Sequence, residues 1–150
     1  MDIAPARILL MQARSNEGPI AAAGPGFHHV AVYTKNIKSV LCNLRGWHVL
    51  PSTFRNLDRG GPAWLGRRDL GLLVELCPGE PAPRPGLPMM FRYVTAGVSD
   101  TARARDLIAN LGIDNFLVTV GDNRITQVDL QIGDKRASLS PSGSIAFPSF

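Results

Sequence analysis

The sequence predicts an α+β chain of two tandem βαβββ modules, and three observations carry that prediction. Short apolar segments rich in β-branched residues recur on both sides of a proline-dense stretch. In each half the first such segment is followed by one of helical periodicity, and Gly, Asn and Asp punctuate the strands that remain. The proline-dense stretch, Pro78-Gly-Glu-Pro-Ala-Pro-Arg-Pro-Gly-Leu-Pro88, is read as a linker, because proline lacks the N–H donor that a ladder or helix needs. The resulting division is an N-terminal strand and linker at 1–26, a first module at 27–78, a linker at 79–88, and a second module with a C-terminal tail at 89–150. Together they make one domain.

A strand is expected at 27–34, where Val30, Val32 and Thr34 alternate and leave His29, Ala31 and Tyr33 on the opposite face. Asn36 is placed to cap a helix over 37–45, whose Ile37, Val40, Leu41 and Leu44 share one side and which stops at Gly46. Trp47–Pro51 starts a strand, Arg59–Pro62 turns, Ala63–Arg67 is a strand, Asp69–Gly71 turns, and Leu72–Cys77 closes the module. After the linker the order returns. A strand at Met89–Thr95 leads into a helix from Asp100 to Leu111 with Ala104, Leu107, Ile108 and Leu111 on one face. Strands follow at Asn115–Val120, Ile125–Gln131 and Arg136–Ser140, separated by hairpin-like turns. Ahead of the first module, Arg7–Gln12 reads as a short extra strand, with Gly and Pro turns after it.

Composition narrows the functional classes. Hydrophobic residues at 45% and charged residues at 19% describe a globular chain, and no apolar run approaches the roughly 20 residues of a membrane span. No signal-peptide pattern is present, so a cytoplasmic chain with reduced Cys42 and Cys77 is expected. The net charge of +4 favours acidic small molecules. The basic residues (Arg55, Arg59, Arg67, Arg68, Arg84, Arg92, Arg103, Arg105) are scattered without interleaved aromatics, which argues against a nucleic-acid surface.

Two residues stand out chemically. His29 lies on the strand at 27–34, and Glu75 is a carboxylate inside the apolar run Leu72–Leu76, where an unpaired charge is costly and asks for a cation, a proton or an exposed face. His28 is expected on the other side of the sheet, at the surface or against a helix, and His48 at an exposed strand start. Superposing the two modules by their strand-to-helix junctions sets Tyr93 opposite His29 and Ser138 opposite Glu75; in an alternative register Phe147 takes the final position. Trp64, Phe91 and Tyr93 are candidates either for an apolar cleft or for the core, with Arg67 and Arg92 at its rim to meet an anion.

A repeated βαβββ unit with His on its first strand and Glu on its last resembles the vicinal oxygen chelate superfamily. The segments Glu17–Ile20, Gly24-Pro-Gly-Phe-His-His-Val-Ala31 and Leu72–Leu76 are most similar to methylmalonyl-CoA epimerase-like proteins. The resemblance implies sheets curved around a cleft in the glyoxalase manner, and His29 and Glu75 as ligands of a divalent ion (Zn, Ni, Co, Mn or Fe) that acts as a Lewis acid on a vicinally oxygenated substrate. Since Tyr93 and Ser138 replace the other two ligands, three arrangements stay open. Water and substrate complete the shell; a homodimer shares one ion between two His29 and two Glu75; or no metal is bound and Tyr93 joins His29 and Glu75 in acid–base work. The implied function is an isomerase, epimerase or lyase acting on a small oxygenated or acyl-thioester substrate, with Glu75 and Tyr93 as catalytic groups. Its alternative is a non-catalytic drug- or metabolite-binding protein of the same fold.

Overall fold

The computed structural model describes residues 26–80, 89–141 and 145–146. The strand expected at Arg7–Gln12, most of the linker, and Phe147 lie outside them. The first half runs β1 (Val30–Thr34), α1 (Ile37–Asn43), β2 (His48–Val49), α2 (Ser52–Leu57), β3 (Ala63–Arg67), a 3-10 turn (Arg68–Leu70) and β4 (Leu72–Pro78). The second runs β5 (Met89–Val98), α3 (Thr101–Asn110), β6 (Phe116–Val120), β7 (Arg124–Ile132), β8 (Lys135–Leu139) and β9 (Ile145–Ala146). The chain is therefore α+β, with two mixed sheets. Among the described residues no helix is long and apolar enough to cross a membrane.

Local chemistry accounts for most boundaries. The Asn36 side chain accepts the Ser39 N–H at 2.9 Å and Asp100 accepts that of Arg103 at 3.0 Å, so each crossover helix starts on a side-chain cap. α1 ends at Asn43, sooner than the helical spacing predicts, because Leu44 is already extended. At the β7–β8 hairpin Gly133 takes the left-handed φ of 57° that a two-residue loop needs at its first position. The sequence reading missed α2, since its buried member is the polar Thr53 while Phe54 faces solvent.

In the first sheet the order is β1-β4-β3-β2, with β1 parallel to β4 and the other pairs antiparallel. The first strand thus lies beside the last. In the second sheet the order is β6-β5-β7-β8-β9, and β5 pairs in parallel with β6 and antiparallel with β7. The order of elements repeats along the chain, but the pairing does not, which corrects the expectation of two superposable modules. The physical reason lies in β5. It is 10 residues long and takes a neighbour on each edge, so β6 docks beside it straight after α3, and β8 pairs with β7 and β9 instead.

Val30, Val32, Ala63, Leu65, Val74 and Leu76 fill the core under the first sheet with Ile37 of α1, and Val94, Ala96, Val98, Ala104, Leu107 and Ile108 continue it in the second half. The halves meet through α3. The Trp47 indole donates to the Leu107 carbonyl at 3.0 Å, and a methyl group at Gly46 would come within 2.7 Å of Leu107 Cδ2. Beside this contact Arg67 grips Asp69 with two hydrogen bonds, 2.9 and 2.6 Å, and donates to the Gly46 carbonyl at 2.6 Å; Arg103 of α3 approaches Asp69 at 3.4 Å. Gly71, at φ 60°, lets the backbone pass directly against the Asn123 carbonyl.

Candidate functional site

Alternation along the strands sorts the first sheet into two faces. Val30, Val32, Ala63, Leu65, Val74 and Leu76 are buried, while Ala31, Tyr33, Trp64, Leu73, Glu75 and Cys77 point the other way and are half-buried. The parallel register sets Ala31 beside Glu75, and the antiparallel one sets Trp64 on the other side of Glu75. His29 lies two residues before Ala31 and so stands diagonally across from Glu75. The face expected for His29, Ala31 and Tyr33 is the one observed.

The outcome is a small polar cluster on an otherwise apolar surface. His29 Nε2 stands 3.4 Å from Glu75 Oε2, with the two side chains 18% and 20% exposed. The separation exceeds that of an ordinary N–H···O hydrogen bond, so the two groups face each other across a narrow gap. The Trp64 ring packs edge-on against the imidazole of His29, with centroids 4.9 Å apart and planes at 70°.

His28 departs from expectation. Its Nδ1 lies 2.9 Å from His29 Nδ1, and its ring meets that of His29 edge-on, whereas alternation assigns it to the opposite face. His28 lies two residues ahead of Val30, where β1 begins, and the alternation that reaches His29 no longer governs it. Two Nδ1 atoms at this distance share one proton. In the tautomer that carries a proton on His29 Nε2, facing Glu75, His29 Nδ1 is bare and His28 Nδ1–H is the donor. Burial, and then the proximity of His29, depress the pKa of His28 below its ordinary value and keep its imidazole neutral further into acid.

Trp64 is held from behind. β2 ends at Val49, yet Leu50 N–H still donates to the Trp64 carbonyl at 2.9 Å, and Thr53 of α2 takes over the strand's role. Its hydroxyl accepts the Trp64 N–H at 2.7 Å and lies 3.2 Å from the Trp64 carbonyl. Trp64 and Glu75 therefore form a non-hydrogen-bonded antiparallel pair, the kind in which neighbouring side chains stand closest.

The remaining predicted residues are elsewhere. Tyr93 stands on β5 of the second sheet, 40% exposed, beside Asp129 in the register and with the Arg92 guanidinium 6.0 Å from its ring centre. Among the described residues no hydrogen bond or ion pair joins Tyr93 to His29 or Glu75. Ser138 flanks Asp129 from the other side and donates its hydroxyl to it, while Gln127 donates to the same carboxylate at 2.8 and 3.0 Å. Tyr93 and Ser138, matched by sequence to His29 and Glu75, are thus the two neighbours of a carboxylate that the sequence reading missed. Its signal was the alternation Val128-Asp-Leu130, which turns Asp129 away from the core. Arg67 is no rim residue: it is buried on the core side, and its guanidinium is held by Asp69 and Gly46. The backbone of Phe91 belongs to β5; its side chain lies outside the described residues.

His29 and Glu75, the two expected metal ligands, are brought together. Among the described residues no three His, Cys, Asp or Glu side chains are grouped to hold an ion, and His29 and Glu75 face each other as a pair. Comparison of the chain with protein-family models, with curated proteins and with solved structures found no match.

Proposed function

We propose that this chain is an isomerase or epimerase of the vicinal-oxygen-chelate kind that moves a proton next to a carbonyl, with His29 and Glu75 as the working pair. The observation that carries the reading is the parallel β1–β4 pairing, which sets a histidine and a carboxylate 3.4 Å apart on a half-buried, aromatic-flanked face. The strand order of the first half, with first strand beside last, supports a glyoxalase-like unit there. In the second half only the order of elements supports one.

In the proposed step the Glu75 carboxylate takes a proton from the carbon beside the substrate carbonyl. The C–H bonding pair becomes the C=C bond of an enol or enolate while the carbonyl π pair moves to oxygen. His29, whose Nε2–H points into the same gap, hydrogen-bonds that oxygen, and His28 fixes the tautomer of His29 through the shared Nδ1 contact. Return of the proton to the same or a neighbouring carbon completes epimerisation or isomerisation. Tyr93 has no part in this step. The proposal extends to a cytoplasmic homodimer, whose assembly state sedimentation analysis checks.

The test is deuterium uptake from D2O at carbons next to the carbonyl of a small ketone panel, followed by NMR with the intact chain. Exchange above the buffer rate that Glu75→Gln abolishes and His29→Ala reduces by about 10²-fold or more is the expected result. Exchange indifferent to both changes refutes the proposal. A second reading, ligand binding without turnover, draws support from the position of Tyr93, the expected second catalytic group, on the other sheet; it predicts saturable binding with no exchange.

A further inference from the structure

The registers allow the whole working face to be read residue by residue. Tyr33 stands beside Cys77; Ala31, Glu75 and Trp64 form the next row; Leu73, Gly66 and His48 form the row after that, with His29 at its β1 end. Glu75 is the only Asp, Glu, Lys or Arg among these positions. Described cations of this half are engaged or face elsewhere. Arg67 points to the core side and is bound to Asp69, Lys35 pairs with Glu80 at 2.7 Å, and Lys38, Arg45, Arg55 and Arg59 are exposed on α1, α2 and the turns after them. Among the described residues of this half, the positive charge that suggests an acidic ligand lies away from this face.

From this distribution we infer that the ligand of the face is a flat, apolar, uncharged carbonyl compound, and that anions, including carboxylates and phosphate-bearing thioesters, are disfavoured there. The inference rests on the reading of His29 and Glu75 as the working pair and names the substrate class of that pair. An anion would lie against the Glu75 carboxylate with no described cation of the first half to balance it, in a half-buried setting where charge repulsion is weakly screened. A neutral carbonyl oxygen accepts the one N–H that His29 offers. A flat apolar body covers Trp64, Leu73 and Tyr33, which are already partly out of water. Gly66, in the row beside Trp64, is buried under the Leu50 and Leu73 side chains, at 3.5 and 3.8 Å from where a methyl group would stand, so the surface beside Trp64 is apolar.

The test compares two probes of the same outline, uncharged 1-phenylpropane-1,2-dione and anionic phenylglyoxylate, by titration calorimetry and ligand-observed NMR on the intact chain. The dione is expected to bind at least about tenfold more tightly than the anion at physiological salt, with the preference growing as salt is lowered. Glu75→Gln is expected to bring the affinity of the anion close to that of the dione, and Trp64→Ala to weaken the dione about tenfold or more. Trp64→Phe, which keeps a ring, is expected to retain most of that affinity and guards against loss of fold. Equal or tighter binding of the anion, a preference untouched by Glu75→Gln, or binding of neither probe overturns the inference. A preference of the expected sign without deuterium exchange refutes proton transfer and leaves the ligand class standing; exchange into the dione without charge preference does the reverse.

Discussion

Replacing Thr53 by valine keeps the shape of a fully buried side chain and removes one oxygen, and its cost follows from two hydrogen bonds. The Trp64 carbonyl retains the Leu50 N–H at 2.9 Å and is little affected. The Trp64 N–H, which reaches the Thr53 hydroxyl at 2.7 Å, has no other partner and is left without an acceptor behind the sheet. An unsatisfied buried donor costs about 1–3 kcal/mol, partly offset by the greater apolarity of valine, so the expected loss is about 2 kcal/mol. In a chain of this size that lowers the melting temperature by about 4–8 °C. Urea unfolding followed by circular dichroism measures it, with Thr53→Ser as the control that restores the acceptor while giving up one methyl group. Because Trp64 flanks His29 and Glu75, dione affinity is expected to fall in Thr53→Val and to hold in Thr53→Ser. A Thr53→Val protein within about 0.5 kcal/mol of the parent would refute the idea that α2 completes the edge of β3 through this hydroxyl.

Three further outcomes follow from the joint between the halves and from the donor set. Gly71→Ala combines a left-handed backbone with a methyl group 1.5 Å from the Asn123 carbonyl oxygen, so its destabilisation should exceed the about 1 kcal/mol of the backbone effect alone, as read from the urea midpoint. The Arg67 hydrogen bond, and next its charge, hold the Asp69 carboxyl below the usual carboxylate range. The native state therefore binds the Asp69 proton less readily than the unfolded chain does. Its contribution to stability is present above about pH 4 and is lost as the pH falls through the lowered native value, so Asp69→Asn should flatten the acid limb of a stability–pH curve and lower the plateau at pH 7. Dialysis against Zn²⁺, Ni²⁺, Co²⁺, Mn²⁺ or Fe²⁺ followed by mass-spectrometric metal analysis should find no ion retained at one per chain. One ion per two chains, lost in His29→Ala, would establish a centre shared across a dimer.

How much was legible depended on the range of the interaction. Strand faces follow from the two-residue period, and so the sides taken by His29, Ala31 and Tyr33, and by Glu75 within Leu72–Leu76, were readable before any fold was known. The helix starts at Asn36 and Asp100 were equally local, each set by a side chain three residues from the N–H that it accepts. The contact of His28 with His29 was not legible, because His28 lies two residues ahead of β1, beyond the reach of the period. Nor was α2, whose buried residue answers to Trp64, a distant backbone partner.

Apart from α2 and β9, the sequence by itself determined which segments form strands and helices, in what order, and which strand side chains share a face, since those properties depend on neighbours within a few positions. Only the tertiary structure decided which strands lie side by side. That choice brought Glu75 next to His29 and Trp64, gave Tyr93 and Ser138 to Asp129, and turned Arg67 inward onto Asp69. The reason is physical: alternation fixes the side of a sheet on which a residue stands but carries no label for its partner strand, and β5 pairs on both edges where β1, the first strand of the first half, pairs on one.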